Sequence, residues 1–199
     1  MIGEEVNHSA EARALTLMID KNVDRIDRIV RDVSLLGRRD RGHPAPLEVE
    51  QAVTELTNEL CTTLNAPRSG FRLALSGTQM IYVDRSHFDE MMVNLMANAW
   101  RHSSKGSDSV SVTVSINDEM QRAIISVIDD GAGVNDEIAD RIFEPFFSGS
   151  GSTGLGLYLV RELALANGGS VRLGASQHGA RFVLELPLLP KQQKSVTSP

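Results

Sequence analysis

The apolar residues of the first forty positions predict one long helix over residues 10–37. Ser9 is a suitable N-cap, and Gly37 is a suitable stop that is followed by arginines complementing the negative end of the helix dipole. Within this helix the apolar residues recur at alternating spacings of four and three, at Ile19, Val23, Ile26, Val30 and Val33. Such a seam is typical either of an amphipathic helix lying on its own domain or of a short coiled coil. Its narrowness favours a helical bundle between protomers.

From Leu47 onward the hydrophobic pattern changes and predicts an α+β fold. Helical periodicity predicts helices at 49–64, 88–99 and 155–166. Alternation of apolar and polar residues predicts strands at 71–75, 110–116 and 182–186, and short apolar segments predict strands at 80–83, 123–128 and 171–173. The last four strands in sequence form two hairpins. Residues 42–46 are interpreted as a linker, and the polar residues after Pro190 as a frayed tail.

Composition and charge exclude several classes of protein. With 41% hydrophobic and 23% charged residues in 199, the chain buries a core and is not disordered. The single cysteine, Cys61, excludes a disulfide scaffold, and neither a signal peptide nor a membrane-spanning apolar run occurs, so a cytoplasmic location is expected. The net charge of −6 argues against binding to nucleic acid. Residues 1–43 hold eight basic and eight acidic residues, so the acidic excess belongs to the rest of the chain.

The helix at 88–99 carries a polar face opposite its apolar one. Asn94, Asn98 and Arg101 stand on that face at i, i+4 and i+7. Carboxamide oxygens are hard, neutral ligands that suit Mg²⁺, and an arginine one turn further on suits a phosphate. The alternative interpretation is an ordinary solvated face.

An acidic residue and two glycines follow the strand at 123–128. The carboxylate of Asp129 can accept a hydrogen bond from an exocyclic amine, and Gly131 and Gly133 allow a flat ring to approach the backbone. Taken alone, this segment could equally be an ordinary Asp-Gly turn.

A second glycine-rich segment, residues 149–157, leads from a loop into the helix at 155–166. The N–H groups at the start of a helix suit an anion, and glycines such as Gly154 and Gly156 remove side chains that would block it. The alternative interpretation is a flexible linker.

The order of these features resembles the ATP-binding catalytic domain of sensor histidine kinases, in the GHKL superfamily that includes DNA gyrase and the mismatch-repair ATPases. Four motifs carry the resemblance: residues 94–99 are similar to the N box, 129–133 to the G1 box, 142–147 to the F box and 153–157 to the G2 box. Residues 33–39, 98–103 and 154–167 further resemble sensor kinases of type IV pilus systems.

The resemblance covers roughly residues 45–190 and implies a two-layer α/β sandwich of the histidine kinase ATPase type, preceded by one long helix. That helix is similar to the second helix of the dimerisation and phosphoacceptor hairpin. The implied organisation is a partial dimerisation helix with its linker at 1–43, the catalytic domain at 44–190 and a polar tail at 191–199.

ATP and Mg²⁺ are the cofactors that the resemblance implies. Asp129 would bind the adenine amine, Gly131 and Gly133 would shape the purine pocket, and His102 stands where the family usually has a tyrosine beside the nucleotide.

The resemblance also implies a phosphate end of the site. Asn98 would coordinate Mg²⁺, with Asn94 and Arg101 facing the phosphates. The residues implied to border the phosphates at the start of the next helix are Thr153, Gly154, Leu155 and Gly156.

Three departures from the family pattern bear on activity. Asn94 stands where related ATPases carry a water-activating glutamate, and since asparagine cannot act as a general base, we expect poor ATP hydrolysis and a preference for transfer to a positioned acceptor. Residues 148–153 carry no charge, so the lid cation of many family members has no counterpart. None of the histidines fits the phosphoacceptor motif, so we expect the acceptor helix to be missing; they are His8, His43, His87, His102 and His178.

The implied activity is transfer of the γ-phosphoryl group of ATP to a histidine, for relay to a response regulator. The expected partners are the receiver domain of that regulator, the acceptor helix of the parent kinase and a second copy of the parent kinase. We expect no nucleic acid and no direct membrane contact by this chain, although the parent kinase is expected to be anchored in the inner membrane. With one bundle helix only, weak association or a monomer is expected.

Two other functions stay open. A serine kinase of the anti-sigma-factor type is opposed by the heptad helix and the linker, since those kinases are free-standing domains. A degenerate nucleotide-binding regulatory module is opposed by intact Asp129 and Asn98.

Overall fold

The computed structural model describes residues 42–75, 80–148 and 153–189, together with positions 13, 15–16, 18–20, 22–23, 26–27, 29–34 and 36–37. The strands are β1 (Ala45–Glu48), β2 (Phe71–Leu75), β3 (Met80–Val83), β4 (Val110–Asn117), β5 (Arg122–Asp129), β6 (Ser170–Gly174) and β7 (Arg181–Pro187). The helices are α1 (Val49–Thr63), α2 (Arg85–His102), α3 (Asp136–Ala139) and α4 (Gly156–Ala166), and a single 3₁₀ turn spans Arg68–Gly70.

A five-stranded mixed sheet forms one layer, in the order β2-β4-β5-β7-β6. Only β2 and β4 pair in parallel, while the hairpins β4–β5 and β6–β7 and the pair β5–β7 are antiparallel. In each hairpin the alternate apolar residues, such as Val112, Val127 and Phe182, are buried under the helices. The predicted α+β class with two layers is confirmed.

Helix α2 forms the centre of the helical layer because one of its faces is apolar throughout. The side chains that it buries completely are Phe88, Met91, Met92, Leu95, Met96 and Ala99. They pack on the sheet and on α1 and α4, and the opposite polar face is thereby turned toward solvent and toward a cavity.

Strands β1 and β3 form a second, two-stranded sheet, so the prediction that residues 42–46 form a linker is wrong in part. Residues 42–46 were expected to form only a connection, but Ala45 begins β1, and Pro46 lies opposite Tyr82 in the antiparallel ladder. Strand β3 is bridged on its other side to Leu188, so β1 is the edge, and proline is tolerated on an edge strand because its missing N–H removes no hydrogen bond between central strands.

The described positions between 13 and 36 are helical, and the helix gives way to a turn at Gly37, as predicted. Its heptad seam does not pack on this chain, since Ile19, Ile26 and Val30 are each 58–61% exposed. None of the helices in the described part of the chain is long and apolar enough to cross a bilayer. The proposed N-cap Ser9, the arginines 38, 39 and 41, His8, lid residues 149–152 and the tail after Leu189 lie outside the described residues.

Asp84 joins three segments at the start of α2. Its Oδ1 accepts hydrogen bonds from the backbone N–H of His87 (3.0 Å) and the hydroxyl of Ser86 (2.6 Å), and its Oδ2 accepts one from the N–H of His43 (2.7 Å). Its own N–H donates to Oδ1 of Asn167 (3.1 Å), just after α4. Burial alone would raise the pKa of this carboxyl, but the hydrogen bonds from Ser86, His43 and His87 outweigh it and lower the pKa to about 2.

Asp84→Ala is expected to lower the free energy of unfolding by about 2 kcal/mol near neutral pH, because it removes a helix cap and the acceptor of His43. A carboxyl whose pKa is depressed contributes stability above its unfolded pKa of about 3.9, and that contribution is lost as the pH falls toward 2. Urea unfolding curves of wild type and variant should therefore converge between about pH 5 and pH 2. Glu119→Ala, in the exposed β4–β5 turn, is the control. If the difference in unfolding free energy between wild type and Asp84→Ala did not change with pH, the role of the Asp84 charge would be contradicted.

Candidate nucleotide-binding site

A cavity of about 1100 Å³ opens between the polar face of α2, the end of β5 and the beginning of α4. Of the residues proposed from the sequence, it is lined by Asn94, Asn98, Arg101, His102, Asp129, Gly133, Thr153, Gly154 and Gly156. Gly131 and Leu155 do not line it, although both adjoin residues that do. Residues as far apart in sequence as Asn94 and Gly156 therefore meet around one space.

Asp129 is a buried carboxylate with one oxygen occupied. Its Oδ1 accepts hydrogen bonds from the N–H groups of Gly131 (2.9 Å) and Ala180 (3.2 Å). The Oδ2 atom accepts none from the residues that the structure describes, and the side chain borders the cavity although only 4% of it is exposed. The carboxylate is thus held by the protein through one oxygen and can accept a ligand hydrogen through the other.

The register of the sheet places Ala180 beside Asp129. Ile128 pairs with Arg181, and one residue further on the N–H of Asp129 donates to the carbonyl of Ala180 (3.0 Å). Gly179 and Ala180 were not among the residues proposed from the sequence. From the sequence alone, Gly179 is indistinguishable from a glycine in an ordinary turn, because its contact with the end of β5 depends on how the strands pair.

Gly131 is required by packing between protein segments. A Cβ at this position would lie 2.2 Å from the carbonyl oxygen of His102, at the end of α2. The close approach of the two segments leaves no room for any side chain here, and the role of this glycine beside a bound ring stays a prediction. Gly133, which does line the cavity, is exposed.

The other end of the cavity lies where α4 begins. A Cβ on Gly156 would lie 2.6 Å from Oδ1 of Asn94, so the start of α4 touches the middle of α2. Among the described residues no side chain caps α4, whose first residue follows Leu155, and the N–H groups of its first turn carry the positive end of the helix dipole. Leu155 itself is buried and anchors the start of this helix.

The polar face of α2 spans the distance between these two ends. Asn94 precedes His102 by eight residues, which corresponds to about 12 Å along a helix axis. Asn98 lies between them and is half-buried, and its side chain makes no hydrogen bond to any described residue. Its carboxamide oxygen is thus available to a cation at the cavity wall. The described residues contain no cluster of three acidic, histidine or cysteine side chains that could hold a metal by themselves.

Several lining residues were missed by the sequence reasoning. The apolar wall includes Ile142, Phe147 and Phe182, which are half-buried or buried. Their motifs were noted, but which of their side chains face a cavity depends on the tertiary fold. Glu90 also lines the cavity, and its position one turn before Asn94 could have revealed it.

Cationic groups border the site near the end of α2. Arg101 and His102 are exposed at the cavity, and Lys105 follows them in the chain. The ammonium of Lys105 donates to the carbonyl of Trp100 and lies 4.8 Å from the centre of its ring. The cavity is therefore elongated, with the Asp129 carboxylate and these cationic side chains at one end and the N–H groups at the start of α4 at the other.

The chain is similar in sequence to a family of ATPases and to sensor kinases. The family described as histidine kinase-, DNA gyrase B- and HSP90-like ATPase matches residues 83–190. Sensor protein kinase PilS of Pseudomonas aeruginosa is 30% identical over 171 residues, covering 84% of this chain and 32% of PilS. The probable sensor histidine kinase TcrY of Mycobacterium tuberculosis is 27% identical over 198 residues, covering 94% of this chain and 40% of TcrY.

Solved structures show the same arrangement of elements. The crystal structure of full-length ShkA in complex with AMPPNP superposes with a TM-score of 0.72 at 26% identity, covering 90% of this chain and 39% of that chain. The chain thus spans between about a third and two fifths of the length of these relatives.

Proposed function

The chain belongs to the histidine kinase-, DNA gyrase B- and HSP90-like ATPase family, and from this premise we propose that it binds ATP with Mg²⁺ and donates the γ-phosphoryl group to a histidine of an acceptor helix. It carries the ATP-binding catalytic domain of a sensor histidine kinase, as the four motifs predicted. The observation that carries the proposal is Asp129, whose Oδ1 is held by two backbone N–H groups and whose Oδ2 is left for a ligand hydrogen.

The adenine end of the nucleotide would lie at Asp129. A carboxylate oxygen accepts a hydrogen bond from the exocyclic amine, and Gly133, Phe182 and Ile142 offer backbone and apolar walls to the ring. His102 borders the same end from α2 and would contact the ribose or the first phosphate. AMPPNP, an ATP analogue, is bound in the ShkA structure, which supports an adenine nucleotide as the ligand.

The phosphates would lie along α2 between Arg101 and the beginning of α4, and the beginning of α4 is about two helical turns from the adenine end. The N–H groups at the beginning of α4 and the guanidinium of Arg101 would supply donors, and Asn98 would offer its oxygen to Mg²⁺. When bound, Mg²⁺ neutralises the charge that develops on the transferred phosphoryl group. The residues of the chain thus bind and orient, and form no covalent bond.

The oligomeric state, location and signalling partner of the parent kinase are also proposals. The parent kinase would act as a dimer facing the cytoplasm, joined through the exposed seam of the N-terminal helix, and would pass its phosphoryl group to a receiver domain of a response regulator. A type IV pilus system is the more specific proposal, supported by residues 33–39, 98–103 and 154–167 and by the similarity to PilS. The comparisons do not favour the anti-sigma-factor or degenerate alternatives.

Transfer in trans tests the proposal directly. We expect this chain, mixed with Mg-ATP and a separate protein carrying a phosphoacceptor hairpin of the family, to place acid-labile phosphate on the hairpin histidine, with little release of free phosphate. Asn98→Ala should slow the transfer by about 100-fold, since one positioned ligand of the charged site is lost. Asn117→Ala, at the end of β4 and away from the cavity, should transfer like wild type.

Two results would count against this function. Absence of transfer with every acceptor hairpin tried, despite nucleotide binding, would favour a regulatory module. Rapid ATP hydrolysis without acceptor would contradict the expectation drawn from Asn94.

A further inference from the structure

Glu90 stands one helical turn before Asn94, outside the four motifs, and borders the same cavity. Its side chain is half-buried. The side-chain Nδ2 of Asn94 donates one hydrogen to the carbonyl oxygen of Glu90 (2.9 Å) and the other to its carboxylate Oε1 (2.8 Å). Both amide hydrogens of Asn94 are therefore held by one residue.

This contact fixes which way the carboxamide of Asn94 points. A flipped amide would place its oxygen against two acceptors of Glu90, the carbonyl and the carboxylate, and would lose both hydrogen bonds. In the observed orientation Oδ1 points toward the beginning of α4, where a Cβ on Gly156 would lie only 2.6 Å from it. Asn94 thus presents an oxygen and no N–H at this end of the cavity.

The chemical consequence concerns what Asn94 can contact. A free carboxamide can donate to a phosphate oxygen or accept from a cation or water, depending on its rotation. With both hydrogens held, only acceptance remains, and a phosphate oxygen placed against Oδ1 would be repelled. The expectation that Asn94 faces the phosphates therefore narrows to a contact with Mg²⁺ or with one of the waters that the ion retains.

We propose that Glu90 is a positioning residue of the nucleotide site, which holds Asn94 so that its oxygen alone is presented to the metal-bearing end of the nucleotide. This rests on the proposed function, because the metal reaches the site with ATP. Glu90 itself needs no contact with the nucleotide. Its carboxylate acts as a hydrogen-bond acceptor, a part that glutamine can also play through its amide oxygen.

The first test separates the metal-dependent from the metal-independent part of binding. For Glu90→Ala, we expect the dissociation constant of ATP measured with Mg²⁺ to rise about tenfold, the usual value of one charge-assisted hydrogen bond at a half-exposed position. The constant measured in EDTA should stay within about twofold of wild type, since no interaction with the metal is involved. Glu90→Gln should bind Mg-ATP nearly as wild type does, and Asp89→Ala, on the same helix but outside the cavity, is the control.

Two outcomes would overturn the proposal. One is a Glu90→Ala variant whose affinity for Mg-ATP equals that of wild type. The other is a Glu90→Gln variant as weak as Glu90→Ala, which would show that the negative charge or the basicity of Glu90 is needed and not its acceptor oxygen.

The second test reads the contact without nucleotide. In ¹⁵N-labelled protein the side-chain NH₂ signals of Asn94 are identified by their loss in Asn94→Asp. Their exchange with solvent should be about tenfold faster in Glu90→Ala than in wild type and unchanged in Glu90→Gln. Equal exchange in wild type and Glu90→Ala would contradict the contact. If wild type fails to bind ATP while this difference is seen, the proposed function fails and the contact stands.

Discussion

Replacing Asp129 by asparagine is expected to abolish most of the rise in melting temperature that Mg-ATP gives the wild-type protein. Asparagine keeps the shape of the side chain, and its oxygen can accept from Gly131 and Ala180 as Oδ1 does. Its NH₂ group then occupies the place of Oδ2 and meets the adenine amine as donor against donor. The fold is kept while the one acceptor offered to the base becomes a repulsive group.

The size of this effect follows from the loss of a hydrogen bond to a charged group, worth about 1.5–3 kcal/mol, or about 100-fold in affinity. At a nucleotide concentration 100 times the wild-type dissociation constant, stabilisation should fall from about 2.7 to about 0.4 kcal/mol. Differential scanning fluorimetry, with and without Mg-ATP, measures the corresponding rise in melting temperature.

Asp130→Asn is the matched control for this experiment. Asp130 is the neighbouring carboxylate, but its oxygens accept from the hydroxyl (2.6 Å) and the N–H (2.8 Å) of Ser104, which hold the pKa of Asp130 below its usual range. It does not line the cavity. This variant should keep the full nucleotide shift, and a shift of wild-type size in Asp129→Asn would show that the adenine does not bind there.

Replacing Gly179 by alanine is expected to cost at least about 3 kcal/mol of folding free energy, because strain and overlap with backbone act together. Its φ is +69°, and a Cβ would lie 1.7 Å from the carbonyl oxygen of Asp129. Since backbone cannot move aside as a flexible side chain can, β5 and the loop before β7 must separate. Urea unfolding gives the loss, and nucleotide binding should fall with it because Ala180 leaves Asp129.

Gly168→Ala separates the two causes. This glycine, which follows α4, has a φ of +68°, and a Cβ would meet nothing within 4 Å. The variant therefore carries the strain of a positive φ alone, about 1 kcal/mol. Equal losses in the two variants would mean that the approach of Gly179 to Asp129 contributes nothing.

Periodicity was sufficient to predict most elements but not their neighbours. The alternation in β4 and β5 and the short turn between them predicted a hairpin, because local spacing determines that pairing. The parallel pairing of β2 with β4 and the place of β7 beside β5 depend on contacts distant in sequence. Strand β1 was missed because Pro46 reads as a breaker, and α3 because four residues show no helical period.

In the candidate site, too, local spacing predicted some residues, whereas others depend on contacts distant in sequence. Asn94, Asn98 and Arg101 were found because helical spacing alone places them on one face. The contact of Gly131 with the carbonyl of His102 could not be predicted, since it depends on how α2 packs against the end of β5. Gly179 carried no local signal, because its importance comes from a strand 50 residues earlier.

The position of β7 has a consequence for how the protein is made. This strand, which follows all the other described strands in the sequence, lies between β5 and β6, and it brings Ala180 to Asp129. Until it leaves the ribosome, β5 lacks one neighbour and the carboxylate lacks one of its two backbone donors. The site around Asp129 is therefore completed only when β7 has been synthesised, about 50 residues after Asp129 itself, so a nascent chain that ends within this interval has the adenine-binding carboxylate but not the strand that holds it.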